Sequence, residues 1–220
     1  MKLTLLFGVL VVAACRKDPP PAPAAPRCQT ATVVALQATD PMELDGELLE
    51  PTWLAAKSTG AFANVVDGGP TSPHTELRAT WTTDALHLAV YAADEDLTEL
   101  DAVAVRLENG AGVPITLEVT PKKTLRCAGC MLPEGAKLAV DIDEGTFDDR
   151  TDEDEEWVAE LQLPWKGLGF TSPPSSLRLN AWRTDVPKGA SARTLSWVPR
   201  CNGAPGWGQV TLVDAVDAGR

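Results

Sequence analysis

Apolar and polar residues alternate with a period of two through most of this chain, the spacing of strands that bury one face. Over Thr75 to Thr83, Leu77, Ala79 and Trp81 share one face and Glu76, Arg78 and Thr80 the other. Thr82–Thr83–Asp84–Ala85 reads as a turn, after which Leu86, Leu88 and Val90 resume the inward register and predict a hairpin. The alternation returns at Val103, Val105 and Leu107, at Ile115, Leu117 and Val119, and at Leu138, Val140 and Ile142. It returns again at Trp157, Ala159, Leu161 and Leu163, at Leu177, Leu179 and Ala181, and at Val210 and Leu212. Gly, Pro, Asp and Asn clusters punctuate these runs at short intervals. Helical signal is confined to Pro51–Lys57 and Trp165–Leu168, and no repeat of fixed period is visible. The pattern predicts an all-β domain over residues 28–214, a single antiparallel β-sandwich of jelly-roll or immunoglobulin-like form.

The first 27 residues break the pattern. Lys2 precedes an apolar run, Leu3 to Val12, too short to span a bilayer, which takes about 20 residues. Small residues then lead into a cysteine at Val12–Ala13–Ala14–Cys15, the layout of a secretory signal and its cleavage site. The tetrad resembles a bacterial lipobox, which implies a signal peptide over 1–14 and lipid on the Cys15 thiol. A plain secretory signal ending near a cysteine is the alternative. Residues 15–27, rich in proline and alanine, read as an extended, semi-rigid tether. Arg16 stands where an aspartate is associated with inner-membrane retention. The expected address is therefore the bacterial outer membrane, periplasmic or surface-exposed, with the lipid anchor as the sole membrane contact.

Charge and cysteine usage narrow the partners. The chain has 31 acidic against 19 basic residues, a net charge of −12, which repels nucleic-acid phosphates. With Cys15 assigned to lipid, Cys28, Cys127, Cys130 and Cys201 form an even set in an oxidising compartment. Sequence alone does not choose among their pairings. The expectation is a local staple, Cys127–Cys130 across Ala128–Gly129, with Cys28–Cys201 closing the ends of the domain. The longer loop would contribute roughly 3–5 kcal/mol in the chain-entropy model. Cys127-Ala-Gly-Cys130 does not fit other chemistries: Met131 stands where haem attachment needs histidine, and no βαβ context supports a thioredoxin-like site.

The acidic stretch Asp141 to Glu156 leaves two readings open, a solvated loop between strands or a calcium loop built from closely spaced carboxylates. The EF-hand spacing is not met, so calcium stands as an open ligand and no cofactor is required. Paired carboxylates also serve glycosidases, but a charged loop lacks the apolar pocket that tunes a general acid. Neither His74 nor His87 sits in a nucleophile–base motif. No catalytic constellation is present, and the chain is expected not to be an enzyme.

Seven blocks, taken in order from Met42 to Val213, resemble the family 9 carbohydrate-binding modules. Leu44-Asp45-Gly46-Glu47-Leu48-Leu49-Glu50-Pro51-Thr52-Trp53 is similar to the family's opening DGxLdExxW. Glu76 to Val90 is similar to its tryptophan, turn and LYv hairpin, with His87 where tyrosine is usual. Asp94 to Leu107 resembles the acidic loop leading into DxVxv, with Asp101 and Val103 at the matching positions. Trp157 to Trp165 resembles WtaEiaiPw, and Leu179 to Asp185 resembles vNxxRxd. Ser196–Trp197 and Trp207–Gly208–Gln209–Val210 are similar to the closing sW and FG segments.

The resemblance implies a β-sandwich that binds carbohydrate without cleaving it, its partner a polysaccharide or cell-envelope glycan. An indole face packs against the C–H face of a pyranose while neighbouring polar groups read its hydroxyls. Six of the seven tryptophans, Trp53, Trp81, Trp157, Trp165, Trp197 and Trp207, match positions the family uses mainly for packing. Trp182 shares a strand face with Asn180, opposite Leu179 and Ala181, and is the candidate exposed aromatic. Asp101, Asn180 and Arg183 match motif positions and complete the candidate binding set. Asp101 and Arg183 are equally readable as a structural ion pair. Sugar-binding members carry a tryptophan just ahead of DxVxv and another in the loop before FG. Here Leu97–Leu100 and Arg200–Gly206 contain no aromatic residue. The second reading is therefore a protein-interaction or assembly scaffold at the envelope that has lost sugar binding.

Overall fold

The computed structural model describes residues 31–143, 146–149 and 155–215. Within them twelve strands and one short helix follow in order. They are β1 (Thr32–Gln37), α1 (Pro51–Ala55), β2 (Ala63–Asn64), β3 (Thr75–Trp81), β4 (Ala85–Ala93), β5 (Ala102–Glu108) and β6 (Pro114–Thr120). The rest are β7 (Thr124–Cys127), β8 (Lys137–Asp143), β9 (Glu156–Pro164), β10 (Ser176–Asp185), β11 (Arg193–Ser196) and β12 (Gly208–Val213). The signal, the tether and Cys28 lie outside the described residues.

The strands form one sheet in the order β7-β6-β5-β10-β12-β1-β3-β4-β9-β8, with β11 branching from β10 and β2 from β11. Its end strands β7 and β8 meet, so the sheet is nearly closed around a single core. The alternating residues fill that core: Leu77, Leu88, Val90, Val105, Leu107, Trp157, Leu161 and Leu179 are all fully buried. The predicted hairpin is present as β3–β4, with Trp81 opposite Leu86.

One expectation needs correction. The sheet is mixed rather than antiparallel, because β1 runs parallel to both of its neighbours, β12 and β3. Parallel pairs need a long crossover. Here the crossover from β1 to β3 is the stretch containing α1, and nearly the whole domain separates β1 from β12. Of the two short helical signals, Pro51–Lys57 forms α1 and Trp165–Leu168 a single turn, with the Leu168 N–H bonded to the Pro164 carbonyl at 3.0 Å.

The α1 segment gives β4 a second buried face. Trp53 and Ala56 pack with Ala89, joined at the margin by Met42 and Leu48. The Trp53 indole N–H donates to Glu160 at 3.0 Å, and the same carboxylate accepts the Gly46 N–H at 3.1 Å. Gly46 has φ +96°, and a Cβ there would lie 2.7 Å from the Asp141 nitrogen. The residue is therefore held to glycine by conformation and by close approach.

Candidate functional site

Strand β10 divides its side chains between two environments, which separates the candidate residues. Leu179, Ala181, Arg183 and Asp185 point into the interior; Arg178, Asn180, Trp182 and Thr184 point outward. On the outward side β11 pairs with β10, Trp182 opposite Ser196, and the chain then loops through Val198–Gly206 into β12. These walls enclose a groove of about 210 Å³. Trp182, half-buried, lines it with Thr194, Ser196, Arg200, Pro205 and Gly206, and no carboxylate lies among the lining residues.

Asn180 holds the groove together. Its Nδ2 donates to the carbonyls of Val198 at 2.9 Å and Gly206 at 3.2 Å, while its Oδ1 accepts the Val198 N–H at 2.9 Å. The Ser196 hydroxyl donates to the Val198 carbonyl at 2.8 Å. A single amide thus ties β10 to both ends of the loop, and little of its hydrogen-bonding capacity is left for a ligand.

Arg183 and Asp101 belong to a different, interior cluster. Arg183 is fully buried and donates to Asp94 at 2.5 Å, Asp185 at 3.0 Å, the Thr75 hydroxyl at 3.3 Å and the Ala93 carbonyl. Asp94, Asp101 and Asp185 place carboxylate oxygens within 4.8 Å of one another, all buried. Each of the six oxygens has a donor. Asp101 accepts the N–H groups of Thr98 at 2.7 Å and Val186 at 2.8 Å. The second oxygen of Asp185 takes Arg193, and that of Asp94 the Asp96 N–H. The arrangement is a compensated charge cluster, with its oxygens already committed before any cation is added. Burial raises the Asp94 carboxyl to about 6 in spite of Arg183 beside it, and raises Asp101 as well. Of the two readings of Asp101 and Arg183, a direct ion pair between them is not formed, and Arg183 pairs instead with Asp94 and Asp185. A shallow acidic depression of about 430 Å³ opens over this cluster, lined by Asp94, Glu95, Asp96, Asp185 and Arg193.

Of the other tryptophans, Trp53, Trp81, Trp157, Trp165 and Trp197 are buried. Trp207 is half-exposed, with the Arg106 and Arg178 guanidiniums 4.6 Å and 4.7 Å from its ring centroid. Arg106 lies directly opposite Asn180 in the β5–β10 ladder, so this stack adjoins the groove. Neither Arg106 nor Arg200 had a motif to mark it. The legible signal was that both are basic and sit next to outward positions of an acidic chain. At the positions ahead of β5 where the resemblance implies a tryptophan, Leu97 is buried and Leu100 is 70% exposed.

The Cys127–Cys130 disulfide is present, with Cα atoms 5.2 Å apart. Cys201 is also disulfide-bonded, and Cys28, its expected partner, lies outside the described residues. Glu144, Asp152, Glu153 and Asp154 of the acidic stretch likewise lie outside them. Asp141 and Asp143 stand exposed on β8, with Asp143 opposite Glu156.

The domain is a nearly closed β-sheet with a groove on its outer face that the Trp182 ring lines. Its fold is that of the family 9 carbohydrate-binding modules. A family 9 module from Caldicellulosiruptor kristjanssonii, solved with cellotriose, superposes with a TM-score of 0.59 at 12% identity over 86% of this chain and 97% of that one. A family 9 module from the same organism, solved with glucose, gives 0.59 at 14% identity over 84% and 97%. A candidate carbohydrate-binding protein from Bacteroides uniformis ATCC 8492 gives 0.57 at 14% identity over 84% and 100%. No family model matches the sequence, and no curated protein is similar to it by sequence.

Proposed function

We propose that this chain is a non-catalytic saccharide-binding domain, held at the bacterial outer membrane by lipid on Cys15 and the proline-rich tether. The observation that carries the reading is the groove on the outer face of β10. There the half-buried Trp182 offers a ring face beside the Thr194 hydroxyl, in a fold shared with modules solved with glucose and cellotriose. Trp182 is the contact residue. Asn180 shapes the wall, while Arg183 and Asp101 stabilise the strand end and the loop ahead of β5. The missing tryptophans at Leu97–Leu100 and Arg200–Gly206 mean that one indole face, rather than a pair, holds the ring. Calcium, if used, acts through the acidic stretch, because the interior carboxylates are taken by Arg183 and Arg193.

The test is a glycan array with the full chain, run with calcium and again with chelator. Binding that disappears in Trp182→Ala supports the reading, and sensitivity to chelator ties in the acidic residues. A blank array in both conditions from folded protein overturns it in favour of the envelope scaffold.

A further inference from the structure

The groove departs in charge from the molecule around it. The chain carries a net charge of −12, yet the residues lining the groove include one guanidinium and no carboxylate. Arg200 is exposed at its edge, and among the described residues it has no carboxylate partner. Arg106, opposite Asn180 across the ladder, has none either; it lies over Trp207, whose other neighbour, Arg178, pairs with Glu108 at 2.5 Å. The outer face thus presents two uncompensated guanidiniums around the groove, in a chain with acids to spare for pairing them. At physiological ionic strength charges screen one another beyond about 8 Å, so the guanidiniums at the groove weigh more in the potential that a bound ligand meets than charges farther away. A groove of about 210 Å³ is smaller than the ~300–1,000 Å³ of pockets for drug-sized ligands, and suits one sugar ring.

We infer that the groove is selective for acidic saccharides, taking a uronate ring on Trp182 with its carboxylate on the guanidinium of Arg200. This rests on the saccharide-binding reading above and adds the substrate class. Arg200 offers the planar fork that matches a carboxylate, which a neutral sugar leaves unused. Arg106 extends the same potential toward the next ring of the chain.

The experiment is titration of the full chain with oligomers of galacturonate, mannuronate, guluronate and glucuronate. The methyl esters of the same oligomers and neutral cello- and xylo-oligosaccharides serve as comparison, in low and high sodium chloride. The expected result is that at least one free acid binds about tenfold more tightly than its ester, an advantage that shrinks with salt. Arg200→Gln should bring that acid down to the affinity of its ester and leave the ester unchanged, whereas Trp182→Ala should weaken both. Equal affinity for acids and esters, or binding of the neutral sugars alone, overturns the charge selectivity while the saccharide reading stands. An acid preference that survives Arg200→Gln overturns the assignment to Arg200. Absence of binding to every saccharide, with folding verified by tryptophan fluorescence, overturns both readings together.

Discussion

His87 should make the fold sensitive to acid, and the size of the effect follows from its surroundings. The side chain is 3% exposed on the outer face of β4, between Thr80 of β3 and Gln162 of β9, and no group among the described residues bonds to either ring nitrogen. Burial lowers its pKa from 6.5 to about 4, so the imidazole is neutral in the folded protein. A folded pKa below the unfolded one gives stability that is present above about 6.5 and lost as the pH falls toward 4. At pH 5 the unfolded imidazole takes up a proton while the folded one largely does not, and the fold loses about 2 kcal/mol relative to pH 7.5. Asp94 acts in the opposite direction. Its raised carboxyl binds a proton more tightly in the fold, which adds about 1 kcal/mol over the same interval. The wild-type pH dependence alone therefore mixes several effects, since burial raises Asp101 and Glu160 as well, and the comparison with His87→Phe isolates that of His87. Urea unfolding of both proteins, followed by tryptophan fluorescence at pH 7.5 and pH 5, should show the variant retaining about 2 kcal/mol more than wild type at the lower pH. At pH 7.5 the substitution should cost little, since it removes two buried nitrogens that have no partner. Identical pH dependence in the two proteins, or a His87 NMR titration near 6.5, would refute the reasoning.

Two further perturbations probe the scaffold. Arg183→Ala leaves Asp94 buried without its cation and Asp185 with Arg193 alone, and should cost about 3–5 kcal/mol, read as a lowered urea midpoint. Arg183→Lys should recover only part of it, because one ammonium cannot reach the four acceptors that the guanidinium serves. Replacing Cys127 and Cys130 together by serine opens a loop of sequence separation 3 and should cost about 2 kcal/mol in the chain-entropy model. The glycan profile should be unchanged, since the staple is remote from β10 in the sheet order.

The elements that the sequence made legible are those whose alternation is long and whose partner is near. The β3–β4 hairpin was readable because Leu77, Ala79 and Trp81 meet Leu86, Leu88 and Val90 across a four-residue turn. β1 was not, because Val33, Val34, Ala35 and Leu36 are apolar in succession and have no period to follow. β2, β7 and β11 are too short to show one, with two, four and four residues. The parallel pairing of β1 is set by strands remote in sequence, so no local pattern encodes it. At the site, period two placed Trp182 and Asn180 together on the outward face, where both line the groove. It could not tell that Asn180 faces loop carbonyls, nor that Arg183 pairs with Asp94, 89 residues away. The Arg106–Trp207–Arg178 stack was equally hidden, because β5, β10 and the loop ahead of β12 supply its members.

The parallel seam at β1 also has a mechanical meaning. The Ala31 carbonyl accepts the Gln209 N–H at 2.9 Å, and from there β1 is hydrogen-bonded to β12 along its length and to β3 toward its end. A pull on the residues ahead of Thr32, the direction in which a tether would draw, loads those bonds side by side in shear instead of opening them one after another. Forced unfolding is governed by the barrier to the first rupture. A domain gripped through an interior strand, with neighbours on both sides, should therefore stay folded at forces that would peel away an edge strand.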